Sequence, residues 1–365
     1  MTAHKPSFDR RLFNIGIIFL AIAFSISHTS AQEDAQPPIL QLSTDIQIFD
    51  LDLNPDSQLL AVAGDNGVTF FDTTLTELTI VLPEYTARVA SVRWSPDGTM
   101  LATGGGLEDH TIRIWDFDAT TLTFTERTTI SVYADFVSVL KWSPDGTMLA
   151  TLSVLGSALT NRPDITGNVQ ILDTNNWNGI GEPRFVTDPI RALGWSPDST
   201  KVAVGGASII YTFDANTADA EWRIGFLNAT SPTYFAWSPS NEVAYSYNRL
   251  NVVNGTDGTS LYSFFPEFGV PSYILWNPLG DFIATDDIPN GFRIMDINTG
   301  TTLRTFTTNV VRAMDWSDDG DLIVTGTLNG EIAIWDASNL PSVEGTPTIT
   351  PNPTTTPRPT PTPSN

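Results

Sequence analysis

One phrase recurs along this chain at a nearly constant interval. Trp94-Ser95-Pro96-Asp97-Gly98 returns unchanged at 142–146. It returns with drift at Trp195-Ser196-Pro197-Asp198, Trp237-Ser238-Pro239, Trp276-Asn277-Pro278 and Trp316-Ser317-Asp318-Asp319-Gly320. An earlier copy, Leu53-Asn54-Pro55-Asp56, has Leu in place of Trp. The seven copies are spaced by 41, 48, 53, 42, 39 and 40 residues. A fixed period of this length means that each copy is one supersecondary unit, buried only by stacking on its neighbours.

Each copy has the same internal order. An alternating apolar run such as Val89-Ala90-Ser91-Val92-Arg93-Trp94 reads as a half-buried strand. Ser-Pro-Asp-Gly reads as a tight turn, because Pro fixes φ, Asp bonds back to the local backbone and Gly accepts positive φ. A second strand follows, then a loop, then a third strand ending in an acid, as in Ile112-Arg113-Ile114-Trp115-Asp116 and Ile332-Ala333-Ile334-Trp335-Asp336. Val169-Gln170-Ile171-Leu172-Asp173 and Phe292-Arg293-Ile294-Met295-Asp296 are looser versions. Four strands per period of about 40–45 residues make one propeller blade. The pattern predicts an all-β, seven-bladed β-propeller of four-stranded antiparallel blades.

On these Trp-Ser-Pro-Asp and Trp-Asp phrases, residues 39–340 resemble the WD40-repeat family. The Trp-Ser-Pro-Asp-Gly phrase is also similar to the repeats of secreted bacterial TolB-like propellers. No copy carries the Gly-His pair that precedes a WD40 blade, so the family's buried His–Asp network is expected to be largely missing. An open arc would leave sheet edges. The last copy has no room for a fourth strand before Pro341, whereas residues 39–43 belong to no blade of their own. They are expected to close the ring as the outer strand of blade 7, the usual WD40 arrangement.

The flanks differ in composition. Lys5, Arg10 and Arg11 precede an uncharged, mainly apolar run over 15–26 and the small residues Thr29-Ser30-Ala31. This pattern predicts a signal peptide over residues 1–31, with an uncleaved anchor as the alternative. The expected localisation is secreted or extracytoplasmic, by either Sec or twin-arginine export. A short leader, 32–38, would follow. Residues 341–365 are rich in Thr and Pro and predict an extended, disordered tail, either a glycosylated stalk or a passive end.

Charge narrows the partners. With 18 basic against 41 acidic residues the net charge is -23, which repels nucleic acid and anionic membranes. No membrane span is expected after signal cleavage. The absence of Cys rules out disulfides, thiolate metal sites and cysteine nucleophiles. Of the three His residues only His110 lies beyond the leader, in a turn, so neither a Ser-His-Asp triad nor a zinc site is expected. The acidic loops Asp318-Asp319-Gly320-Asp321 and Asp173-Thr174-Asn175-Asn176 fall where hairpin turns are required, and turn chemistry explains them without calcium. No cofactor is expected.

The expected function is therefore a non-catalytic scaffold binding a protein, peptide or glycan through one face of a monomeric propeller. The alternative is a lactonase- or glycosidase-like hydrolase using pore carboxylates, with or without Ca2+. Function on a repeat scaffold concentrates in loops. Two loops after second strands are enlarged, 104–110 and 152–168. From them Glu108, Asp109, Leu155, Leu159, Asn161, Arg162 and Asp164 are candidates for a partner-binding edge. Arg191 and Arg312, each four residues before its blade's Trp, are placed on innermost strands near the channel entrance. There they would either receive a carboxylate ligand or neutralise neighbouring acids.

Overall fold

The computed structural model describes residues 36–341, apart from 57, 81, 83–87, 107–108, 132–135, 155–166, 187–189, 207–208, 218, 227–233, 265–270 and 288–290. Within that range the chain forms seven four-stranded antiparallel sheets. The innermost strands are Ile48–Leu53, Val89–Trp94, Phe136–Trp142, Ile190–Trp195, Phe235–Trp237, Ile274–Trp276 and Val311–Trp316, one for each repeat copy. Each lies beside the next, and the seventh lies beside the first, so the ring is closed.

The N-terminal strand Leu40–Ser43 completes that closure through backbone hydrogen bonds to blade 7. It pairs antiparallel with the third strand of blade 7, Leu40 opposite Ile334 and Ser43 opposite Glu331. The Ile39 N–H donates to the Ile334 carbonyl at 2.7 Å, and the Thr44 N–H to that of Gly330 at 2.8 Å. Residues 39–43 thus supply the outer strand, as the sequence predicts.

Burial grades outward along each blade. The second strand Leu59–Gly64 is buried at every residue, whereas the outer strand Thr123–Ser131 is mostly exposed. Second strands are covered on both faces by neighbouring blades, which selects small side chains where the wedge is narrowest. A Cβ at Gly326 would stand 2.9 Å from both Ile48 and Leu51 of blade 1, so only Gly fits there. Seven apolar clusters fill the seven interfaces; the one joining blade 7 to blade 1 packs Ile48, Leu51 and Val62 against Ala313, Val324 and Ile332.

The recurrent phrase has a double role. In the turn, Ser95 Oγ donates to Asp97 Oδ1 at 2.6 Å and accepts from the Met100 N–H at 2.9 Å, while Gly98 adopts φ 68°. The same arrangement recurs at Ser143–Asp145, Ser196–Asp198 and Ser317–Asp319. The Trp packs between blades and, in three cases, ties them together. Trp142, Trp195 and Trp276 donate indole N–H bonds to the carbonyls of Arg93, Lys141 and Ala236 on the preceding blade, at 3.1, 2.8 and 3.0 Å. Trp237 and Trp316 bond within their own turns. The Trp94 indole nitrogen is buried with no hydrogen-bond partner among the described residues.

Two loop boundaries require correction. Gly104 and Gly105 belong to the second strand Met100–Gly105, and residues 152–154 to the second strand Met148–Val154. Leu152, Ser153 and Val154 pair with Val169, Asn168 and Gly167, so the hairpin of blade 3 extends further than its composition suggests. The enlarged loops accordingly begin no earlier than positions 106 and 155, and residues 107–108 and 155–166 lie outside the described residues.

Candidate functional site

The inner strands build the site by register. The residue two positions before the Trp, or Leu53, is buried and apolar in every blade: Leu51, Val92, Leu140, Leu193, Phe235, Ile274 and Met314. The residue one position before it is half-buried in every blade and faces the channel. Around the ring this tier reads Asp52, Arg93, Lys141, Gly194, Ala236, Leu275 and Asp315. Four charges therefore sit on the consecutive blades 7, 1, 2 and 3, and a neutral wall covers blades 4 to 6.

The charged half is bonded across blades. Arg93 Nη1 lies 2.7 Å from Asp50 Oδ2, and Arg93 Nε 3.7 Å from Asp52 Oδ1, with the three side chains only 12–14% exposed. Asp50 also accepts from Ser91 Oγ at 2.9 Å and from the Val92 N–H at 3.2 Å. Asp52 accepts the Trp94 N–H at 2.7 Å, and Asp315 the Leu53 N–H at 2.8 Å. Each carboxylate thus reaches the backbone of the next blade, a polar staple beside the apolar interfaces.

The electrostatics follow from crowding three carboxylates and two cations in a poorly hydrated space. Burial pushes Asp52 well above the usual carboxylate range, and the neighbouring Asp315 pushes it further, against Arg93 and Lys141. Burial likewise raises Asp315, opposed by its bond from Leu53. The Arg93 charge and burial hold Lys141 below its ordinary value. Burial works against the Arg93 charge, but Asp50 and Asp52 outweigh it and keep the guanidinium protonated. Across the channel, burial raises the Tyr273 phenol, which donates to the Met314 carbonyl at 2.9 Å.

The channel holds a cavity of about 630 Å3, whose wall includes Phe49, Phe136, Val154, Ile190 and Arg312 near its mouth and continues past Arg93, Lys141 and Leu275 to Trp142, Trp195 and Trp276. Phe49, Ala90, Ser138, Arg191 and Arg312 share one position, a register shift between the innermost and second strands. Such bulges re-aim side chains. Arg312 is exposed and lines the cavity; Arg191 occupies the matching position on blade 4, its side chain outside the described residues. At the mouth the Arg88 guanidinium stacks over Phe49, 4.6 Å from the ring centre.

Of the other sequence candidates, only Asp109 lies among the described residues. Asp109 bonds within blade 2, accepting from Thr111 Oγ1 at 2.5 Å and pairing with Arg113 at 3.4 Å. Glu108, Leu155, Leu159, Asn161, Arg162 and Asp164 lie outside the described residues. The segment carrying the last five nevertheless leaves the blade at Val154, a residue of the cavity wall, and returns at Gly167 opposite it. Asp319 and Asp173 cap turns through Asp321 and Asn175 backbone N–H groups. Among the described residues no group of three or more His, Asp or Glu is placed to hold a metal ion, and no helix is long and apolar enough to cross a membrane.

Sequence reading passed over Asp50, Asp52, Arg93, Lys141 and Asp315. Their signal was available only by stacking the seven copies and reading the column before the Trp.

Comparison with known proteins agrees with this architecture. The family model described as "WD domain, G-beta repeat" matches residues 76–116 and 300–336. Each match spans the outer strand of one blade and three strands of the next, and ends at a literal Trp-Asp pair. In both, the Trp indole donates to a second-strand Thr, Trp115 to Thr103 at 3.0 Å and Trp335 to Thr325 at 2.9 Å. No curated protein sequence matches the chain. A chain of the solved structure titled "Crystal Structure of Mitotic Checkpoint Complex" superposes with a TM-score of 0.66 at 18% identity, covering 92% of this chain and 98% of that one. At that identity the likeness is one of fold: this chain is a seven-bladed β-propeller, two segments of which match the WD-domain repeat model.

Proposed function

We propose that the chain is an exported, non-catalytic interaction scaffold that holds a protein, peptide or glycan partner at the face of the ring where the channel opens. The observation that carries this reading is that the long insertion of blade 3 is attached at Val154, a residue of the cavity wall. Residues 155–166 spring from Val154 on the cavity wall, and 106–110 follow the second strand of the neighbouring blade. Exposed Val310 and Leu328 add apolar surface beside Arg312 on blade 7. The blade interiors are packed or hydrogen-bonded to one another, which leaves the loops as the variable surface.

Export rests on the sequence of residues 1–31, and the tail 341–365 would serve as a spacer. A two-repeat match to a family whose members commonly hold protein partners is consistent with the scaffold reading. The hydrolase alternative would draw on Asp52 and Asp315, the two carboxylates of the channel tier, both with raised pKa. Both are committed to backbone N–H groups of the next blade, which favours a structural role.

The test is removal of 155–164 from the full chain. The shortened protein should keep its melting temperature and lose its partner. Retained binding, or substrate turnover abolished by Asp52→Asn, would overturn the reading.

A further inference from the structure

The charges of the channel are unequal in one respect. Asp50, Asp52, Asp315 and Arg93 each have hydrogen-bond partners within the ring. The Lys141 ammonium makes no hydrogen bond or ion pair among the described residues; it meets the three carboxylates only through longer-range attraction. It lines a cavity of about 630 Å3, within the range of sites that enclose a small ligand. The cavity wall also carries the neutral residues Tyr234, Ala236 and Leu275.

We propose that this cavity binds a small organic acid, its carboxylate on the Lys141 ammonium and its apolar body against the Tyr234, Ala236 and Leu275 wall. The sign of the ligand follows from which group is uncommitted. A cation would have to displace Arg93 or a backbone N–H from an engaged carboxylate, whereas an anion meets Lys141 directly. Its shape follows from depth: Lys141 lies three strand residues below the bulge tier that carries Arg312, about 10 Å along the channel. An elongated acid therefore spans from mouth to Lys141, passing Arg312 on entry. The net charge of -23 disfavours polyanions and leaves a monoacid with an apolar body as the matching class. The site is independent of the docking reading, because removing 155–164 leaves Lys141 in place.

The chain contains three lysines, Lys5, Lys141 and Lys201, which gives the test its readout. Full-length protein labelled with 13C and 15N at lysine side chains is titrated with 4-phenylbutyrate, 4-phenylbutanol and 4-phenylbutylamine. The acid should shift the Lys141 signal saturably at millimolar concentration and leave Lys201, paired with Glu221, unmoved. The alcohol and the amine should bind at least tenfold more weakly. By calorimetry, Lys141→Met should weaken acid binding at least tenfold, and Arg312→Ala less than that. If Lys141→Met fails to fold, Leu275→Asp serves instead; a carboxylate on that wall should repel the acid by a similar factor. No shift of Lys141 with the acid, equal binding of the amine, or full acid affinity in the folded variants would overturn the proposal.

Discussion

Replacing Arg93 by Met keeps the length of the side chain and removes the one cation bonded to the channel carboxylates. Arg93 pairs with Asp50 at 2.7 Å and approaches Asp52 at 3.7 Å, with all three side chains at 12–14% exposure. Breaking a buried pair by removing one partner costs about 3–5 kcal/mol, chiefly because the remaining charge is stranded. Lys141 remains nearby and Asp50 keeps its bonds from Ser91 and Val92, which places the expected loss near 3 kcal/mol, at the lower end of that range. The exposed pair of Arg127 and Asp116, at 2.6 Å but 47% and 41% accessible, provides the contrast. Arg127→Met should cost no more than about 0.5 kcal/mol. Urea unfolding at neutral pH, followed by tryptophan fluorescence, measures both. Acid should partly rescue Arg93→Met, since protonated carboxylates no longer need the cation. A loss below about 1 kcal/mol for Arg93→Met, or equal losses for the two variants, would refute the claim that the channel cluster is electrostatically coupled.

Stability should pass through a maximum at mildly acidic pH. Asp52 and Asp315 have folded-state pKa values above their unfolded ones, so their contribution is present at low pH and lost as pH rises through the raised values. The turn acids Asp198 and Asp319, lowered by Ser196 and Ser317 hydroxyl bonds, contribute above the ordinary carboxylate range and lose that contribution as pH falls. Asp52→Asn, which keeps an acceptor for the Trp94 N–H, should flatten the alkaline side; an unchanged profile from pH 5 to 8 would count against it. Removing residues 32–44 strips blade 7 of its outer strand and should lower the unfolding midpoint markedly, whereas an unchanged midpoint would contradict ring closure by Leu40–Ser43. Gly326→Val should cost about 1–3 kcal/mol by overpacking against Ile48 and Leu51, measurable in the same urea experiment.

The parts of this structure that repeat were legible, because packing one blade on the next imposes the same demand seven times. Ser-Pro-Asp-Gly marks a turn in any single copy, and the leftover strand at 39–43 was identifiable by counting strands against blades. The channel cluster was not legible copy by copy: Asp52, Arg93, Lys141 and Asp315 each look like the polar half of an alternating strand. Only the ring brings these positions together, and only burial changes their chemistry. The bulges carry Phe, Ala, Ser and Arg, a set with no shared side-chain chemistry, so composition gave no sign of them. Ser153 interrupts an apolar run and suggests a loop, yet pairing with Asn168 continues the sheet.

Hydrogen–deuterium exchange on the full chain, with and without its captured partner, tests most directly whether the working surface is the channel mouth. Protection should concentrate in 106–110, 155–166 and the bulge residues that line the cavity, with the opposite-face turns at 95–98, 143–146 and 317–320 unchanged. Protection centred on those turns, or on outer strands such as Thr123–Ser131, would contradict it.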